Sequence, residues 1–433
     1  MTLSTTYKRT GIIAVTFCTL LLASCYLYQE SLPPTKRWAV PFGSDPLGPP
    51  PPHHDHADKD RCFDPYRAPG YLYIPDSHSN YNQTQWIPFT DQLLHVESLP
   101  VSSYPPIDGK DVFFTRGEVE EEFLTAPTTP KQWMQLVKSE NEIRRSAIQS
   151  TKTSDFAPLK DHGVLSWLWD RRVVLVGDSV DRFMTQFFCE ELGSSMTEPE
   201  RHTTATCHIP SFNLTITHWH FPGTYTSRPD WWWMPNMKLI PFEERWEQLW
   251  SKTDVPSTDS TPGIRGPNGI PDLVMWQSGL WDQRMMWESG EAHAKSTGGK
   301  PSPLASRTRQ MCWEELRFTT SRLRKLLQHL HLSFGPDLPL LYRTITTHRD
   351  SDAKDANLYE IDRVSRFVAS KEGSEVFEWG RCLSALTMLY MDQTHPAKGA
   401  ASWLWGNMLL EYLKRSSKGW GECHQEGLAW GGR

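Results

Sequence analysis

The chain lacks an excess of positive charge, an internal repeat and closely spaced cysteine pairs, and it has a single long apolar run. Its 433 residues carry 45 Lys and Arg against 51 Asp and Glu, a net charge of −6. That balance leaves no basic footprint for a phosphate backbone, so no nucleic-acid partner is expected. Six of the eight cysteines, Cys62, Cys189, Cys207, Cys312, Cys382 and Cys423, lie beyond the apolar run. No two of the six stand at the close spacing of a zinc finger, which favours disulfides in an oxidising compartment, with the pairing open. No metal centre and no cofactor is expected.

The apolar run, GIIAVTFCTLLLASCYLY at residues 11–28, follows Lys8 and Arg9. Its length approaches the roughly 20 residues that span a bilayer, and the basic flank sets a cytosolic N-terminus. The expected organisation is a cytosolic tail (1–9), a membrane signal anchor (10–28), a stalk (29–60) and a lumenal catalytic domain (61–433), placed in the Golgi or another secretory-pathway membrane. A signal peptide cut near Ala23-Ser24-Cys25 is the competing reading and gives a secreted form. Pro49 to Pro52 beside His53, His54 and His56 read as an extended spacer with no core to bury. Asn82-Gln83-Thr84 and Asn213-Leu214-Thr215 are glycosylation sequons.

Beyond the stalk, strand and helix patterns alternate. VVLV at 173–176, between Arg172 and Gly177, is an apolar run too short for a helix, as a strand covered on both faces should be, and a helix follows over 180–192. DLVMW (272–276), LPLLYRTI (338–345) and EVFEW (375–379) are further strands, with amphipathic helices over 317–332 and 352–370. The alternation predicts an α/β fold with a central parallel sheet. Ligands bind at the carboxyl ends of strands in such sheets, where Ser179 falls.

Two short motifs carry chemistry. Gly177-Asp178-Ser179 ends the apolar strand, and Asp392-Gln393-Thr394-His395 precedes a helix expected to start at Pro396. A serine hydroxyl needs an imidazole to take its proton, and the imidazole needs a carboxylate to hold its tautomer. Ser179, His395 and Asp392 fill those roles in the order Ser, Asp, His. Each motif alone also suits a helix cap: Asp178 can cap a backbone amide, and so can Asp392.

GDSV after an apolar strand and DQTH before WGNMLLEYL resemble the first and last blocks of the GDSL or SGNH hydrolase superfamily. LSWLWDRRVVLVGDSVDR, PDLVMWQSGLWD, LLYRTITTH and CFDPYRAPGYL are similar to segments of its PC-esterase branch, which includes the trichome-birefringence-like polysaccharide O-acetyltransferases. The resemblance implies an SGNH-like three-layer sandwich, Ser179 as nucleophile, Asp392 as orienting acid and His395 as base. It implies oxyanion donors at the Ser179 amide, at Gly223 and at the third block. There this chain departs from the pattern, carrying Gln277 where the family has asparagine. Arg182 matches an arginine of the branch.

The implied activity is transfer of an acyl group, in the first place acetyl, from a donor through an acyl-enzyme to water or to a glycan or polysaccharide hydroxyl. A different class, a Golgi glycosyltransferase, is raised by Asp350-Ser351-Asp352, which could hold Mn²⁺ and a nucleotide-sugar phosphate. A non-catalytic glycan binder of the same fold is raised by Gln277. The chain's 20 tryptophans, Trp231 to Trp233 among them, suit either a sugar-stacking surface or an aromatic core.

Overall fold

In the computed structural model, residues 64–75, 78–89, 124–151, 155–224, 242–254, 263–296, 298, 310–349, 355–384 and 386–417 are described. The expected anchor and stalk, Trp231 to Trp233, and Asp350 and Asp352 lie outside them. The elements, in chain order, are β1 (Gly70–Tyr73), β2 (Gln85–Pro88), α1 (Trp133–Thr151), β3 (Arg172–Gly177), α2 (Ser179–Glu191), β4 (Met196–Thr197), β5 (Thr204–Ile209), β6 (Leu214–His220) and α3 (Phe242–Thr253). Then come β7 (Leu273–Trp276), α4 (Leu280–Ser296), α5 (Trp313–Phe334), β8 (Leu340–Arg343), α6 (Ala356–Lys371), β9 (Glu375–Phe377), α7 (Trp379–Cys382) and α8 (Ala400–Ser416).

Seven strands form one sheet in the order β4-β5-β6-β3-β7-β8-β9, and β1 pairs with β2 in a separate antiparallel ribbon. From β6 to β9 the pairing is parallel. The sheet is therefore mixed, because β4 and β5 extend it antiparallel at the β6 edge. Short turns join β5 to β6, and a tight connection of that kind permits only an antiparallel pair.

β3 sits in the middle with every residue buried. Its side chains alternate as the pleat requires. Val173 and Leu175 join a core with Met184 and Phe188 of α2, Val137 of α1, and Trp405 and Leu409 of α8. Val174 and Val176 join a second core with Trp246 of α3, Leu323 and Leu327 of α5, and Val368 of α6. Two apolar layers, one on each face, give helix–sheet–helix stacking, and burying one Leu or Phe in such a layer is worth about 1.5–3 kcal/mol. Trp219, Trp276, Trp379, Trp403 and Trp405 are fully buried, so these tryptophans serve the core.

Several boundaries shift. Only Leu340–Arg343 of LPLLYRTI pairs as a strand. EVFEW is a strand to Phe377 and then turns into the short helix α7. The last helix begins at Ala400, after Gly399 at φ 126°, and not at Pro396, which forms an isolated bridge with Tyr390. Among the described residues one disulfide, Cys189–Cys207, ties the end of α2 to β5. Cys312 and Cys382 are free thiols, and burial pushes that of Cys382 up to about 12. Among the described residues no helix is long and apolar enough to cross a membrane.

Candidate active site

β3 delivers Ser179 as the first residue of α2. Asp178, in extended backbone at the cap position, accepts a hydrogen bond from the Val180 amide at 2.9 Å, and the Asp181 carboxylate accepts one from the Asp178 amide at 3.3 Å. This capping box satisfies two of the helix's otherwise orphan amides and frees the serine from capping duty. Asp178 does cap, and for that reason Ser179 is available.

The Ser179 Oγ lies 2.8 Å from His395 Nε2. On the other side of the ring, Nδ1 lies 2.8 Å and 3.0 Å from the two Asp392 oxygens. A carboxylate accepts only, so Nδ1 carries the hydrogen and Nε2 is left as acceptor for the serine hydroxyl. Asp392 Oδ1 also accepts from the Thr394 and His395 amides at 2.7 and 2.8 Å. Partial burial pushes the Asp392 carboxyl up, but these amides and the imidazole outweigh it and hold the group below its ordinary range. Its side chain is 52% exposed. Asp392 thus folds its own loop and orients His395 at once.

Tertiary contacts hold that loop. Met391 N donates to His395 O at 2.9 Å, Ala397 N to Leu389 O at 2.7 Å, and Arg349 N, in the segment after β8, to Gln393 O at 2.8 Å. The Phe183 ring meets the His395 ring edge-on at 4.9 Å. Arg182 pairs with Glu198 at 3.1 Å, and its guanidinium lies over Phe183.

β6 and β7 flank β3, so the residues after them stand on either side of Ser179 at the carboxyl edge. Gly223 follows β6 at φ 130°, and a Cβ there would fall 2.2 Å from Asp282 Oδ1. Gln277 follows β7, buried, its backbone N–H donating to the Val176 carbonyl at 3.1 Å. Asp282 joins the two loops: it accepts from the Thr224 amide at 3.2 Å and from the Ser278 hydroxyl. The structure thus brings Ser179, His395 and Asp392 into contact and sets Gly223 and Gln277 on adjacent strand ends.

Of the sequons, Asn82 is exposed on a 3₁₀ turn. Asn213 sits in the turn before β6, its side-chain amide donating to Asp170 at 2.8 Å, with Thr215 buried.

Sequence reasoning missed a buried polar layer under the serine. Arg343, the last residue of β8, reaches Asp181, and His218 Nε2 donates to the carbonyls of Asp178 at 3.0 Å and Gly177 at 3.2 Å. An arginine inside an apolar strand was the available signal. Burial lowers His218 to about 4, against the pull of Asp181, and drives His220 well below its ordinary value, helped by His218, His202 and Arg245. Neither ring nitrogen of buried His220 has a hydrogen-bond partner.

Both histidines are neutral in the fold and gain protons on unfolding near their ordinary value of about 6.5. The unfolded chain then binds more protons between about 6.5 and 4, so stability falls as pH falls through that window, by on the order of 3 kcal/mol at pH 4 from His218 alone. Thermal melts across this window should show the decline, and His220→Phe should flatten it. A melting temperature independent of pH there would show that the histidines are not buried neutral.

No family model and no curated protein matches the chain. Among solved structures it is similar to Axe2, an acetylxylan esterase from Geobacillus stearothermophilus, at 11% identity and a TM-score of 0.32, over 57% of this chain and 94% of that one. It is also similar to LAE5, an alpha/beta hydrolase enzyme from the metagenome of Lake Arreo, Spain, at 14% identity and 0.32, over 57% and 96%. A third, the acetyl xylan esterase AlAXEase, stands at 12% identity and 0.29, over 55% and 98%.

Proposed function

We propose that the protein is a serine-dependent acyl esterase or O-acyltransferase of the SGNH type, related to the PC-esterase branch, acting on acetylated glycans in the lumen of the secretory pathway. The observation that carries the chemistry is the continuous relay from Ser179 Oγ through His395 to Asp392 at 2.8 Å per step. His395 Nε2 takes the hydroxyl proton as Oγ attacks the acyl carbonyl carbon. The tetrahedral oxyanion faces the Ser179 amide at the start of α2, with Gly223 and Gln277 as the further donors. Collapse breaks the ester bond, and His395 returns the proton to the departing alcohol. Water or a sugar hydroxyl then gives its proton to His395 and attacks the acyl-enzyme, and His395 hands that proton to Ser179 Oγ as its bond to the acyl group breaks, releasing acetate or a new sugar ester.

The glycan substrate rests on the motif resemblance, and the lumenal setting on the apolar run, the sequons and the disulfide. Incubating purified protein with acetylated xylan and an unacetylated oligosaccharide acceptor separates the two fates: free acetate marks an esterase, acetylated acceptor a transferase. Neither product, with no fluorophosphonate adduct on Ser179, would overturn the reading in favour of a non-catalytic glycan binder.

A further inference from the structure

We propose that Arg343 is a positioning residue for the nucleophile, clamping the Gly177-Asp178-Ser179 turn through Asp181 and tying it to the segment that holds the His395 loop. The role rests on the serine reading above and deepens it.

Arg343 stands two strands from β3 in the sheet order, yet its side chain ends beneath α2. Its Nε donates to Asp181 Oδ1 at 2.5 Å and a terminal nitrogen to Oδ2 at 3.0 Å, a two-pronged pairing with all partners buried. The same terminal nitrogen is 3.7 Å from Asp178 Oδ1. Two carboxylates three residues apart, both out of water, thus share one guanidinium. Burial raises Asp178 and Asp181 raises it further, while Arg343 opposes both. Without the cation, burial would push Asp178 further toward its protonated form and weaken the acceptor that caps the Val180 amide.

The backbone is fitted to this arrangement. A Cβ on Gly177 would fall 2.0 Å from Asp181 Oδ2, so the carboxylate occupies the place a side chain would take. Asp181 is thereby pressed against the turn on one side and held by Arg343 on the other. The connection runs onward: Thr344 Oγ1, next to Arg343, donates to Phe377 O at 3.1 Å, and six residues past Arg343 the Arg349 amide holds Gln393 of the His395 loop. One segment, 343–349, thus bonds both to the helix that begins at Ser179 and to the loop that carries Asp392 and His395.

A buried ion pair is a poor stabiliser relative to apolar residues of the same size, because desolvation cancels the attraction. Its return is directional: a fork pairing fixes distance and angle, which a point charge does not. Misplacing a nucleophile by about 1 Å can cost on the order of 100-fold in rate.

Arg343→Met should therefore slow both kcat and fluorophosphonate labelling of Ser179 by about 100-fold with KM unchanged. Arg343→Lys restores a cation but not the fork. It should recover most of the melting temperature and little of the rate, and it serves as the test if Arg343→Met does not fold. Wild-type labelling in either folded variant, or a rate in Arg343→Lys that recovers in step with stability, would overturn the positioning role and leave the serine reading intact. Absence of labelling in the wild-type protein would overturn both.

Discussion

Ser179→Ala should remove turnover of an acetyl ester, by about 10⁴–10⁶-fold in kcat, with the melting temperature unchanged. The size follows from the hydrogen bond of the serine hydroxyl to His395 Nε2, the base that takes its proton. Stability is spared because the cap belongs to Asp178 and Asp181, and alanine is a good helix former at the first position. Ser179 is partly exposed between buried neighbours, as a group that must meet substrate requires. The check is kcat together with mass spectrometry of the fluorophosphonate-treated protein. Turnover persisting in the alanine variant would mean that another group performs the chemistry.

The second large effect is Asp392→Asn, with an expected loss on the order of 10³-fold in kcat. Asp392 Oδ1 accepts both loop amides while Oδ2 makes the shorter bond to His395 Nδ1. A carboxamide has one acceptor atom. If its oxygen keeps the two amides, its NH₂ faces Nδ1, which must then accept. The hydrogen moves to Nε2, and the ring can no longer take the serine proton. Exposure of Asp392 to water lets solvent offset part of this, so the loss is smaller than for Ser179→Ala. Ionisation of the native acid is not the weak point on acidification, because its loop contacts hold the carboxyl below the usual range. A rate within about tenfold of wild type in folded Asp392→Asn would show that the carboxylate does not set the tautomer.

The strand before Ser179 was legible because Val173 to Val176, buried on both faces of the sheet, read as an unbroken apolar run. The helix after it was legible because its apolar face repeats every three or four residues. The start of α8 was misread: Pro396 is compatible with a first helical turn, but Gly399 at positive φ and the pairing of Tyr390 with Pro396 postpone the helix to Ala400. The antiparallel edge β4-β5-β6 was not seen at all. β4 has only two residues, and TATCHI of β5 and LTITHWH of β6 carry polar side chains whose burial comes from the layers around them.

By itself the sequence determined the chemistry of each local piece: a serine at a strand–helix junction, an Asp and a His on one tight loop, and apolar faces that demand a covered sheet. Those are properties of a few neighbouring residues, encoded in periodicity and cap chemistry. Only the tertiary structure decided that Ser179 meets His395 across 216 positions, that Arg343 meets Asp181 across 162, and that Cys189 pairs with Cys207. Such contacts depend on strand order and on which helix covers which face. The packing of the two cores sets both, and no local window of sequence contains it.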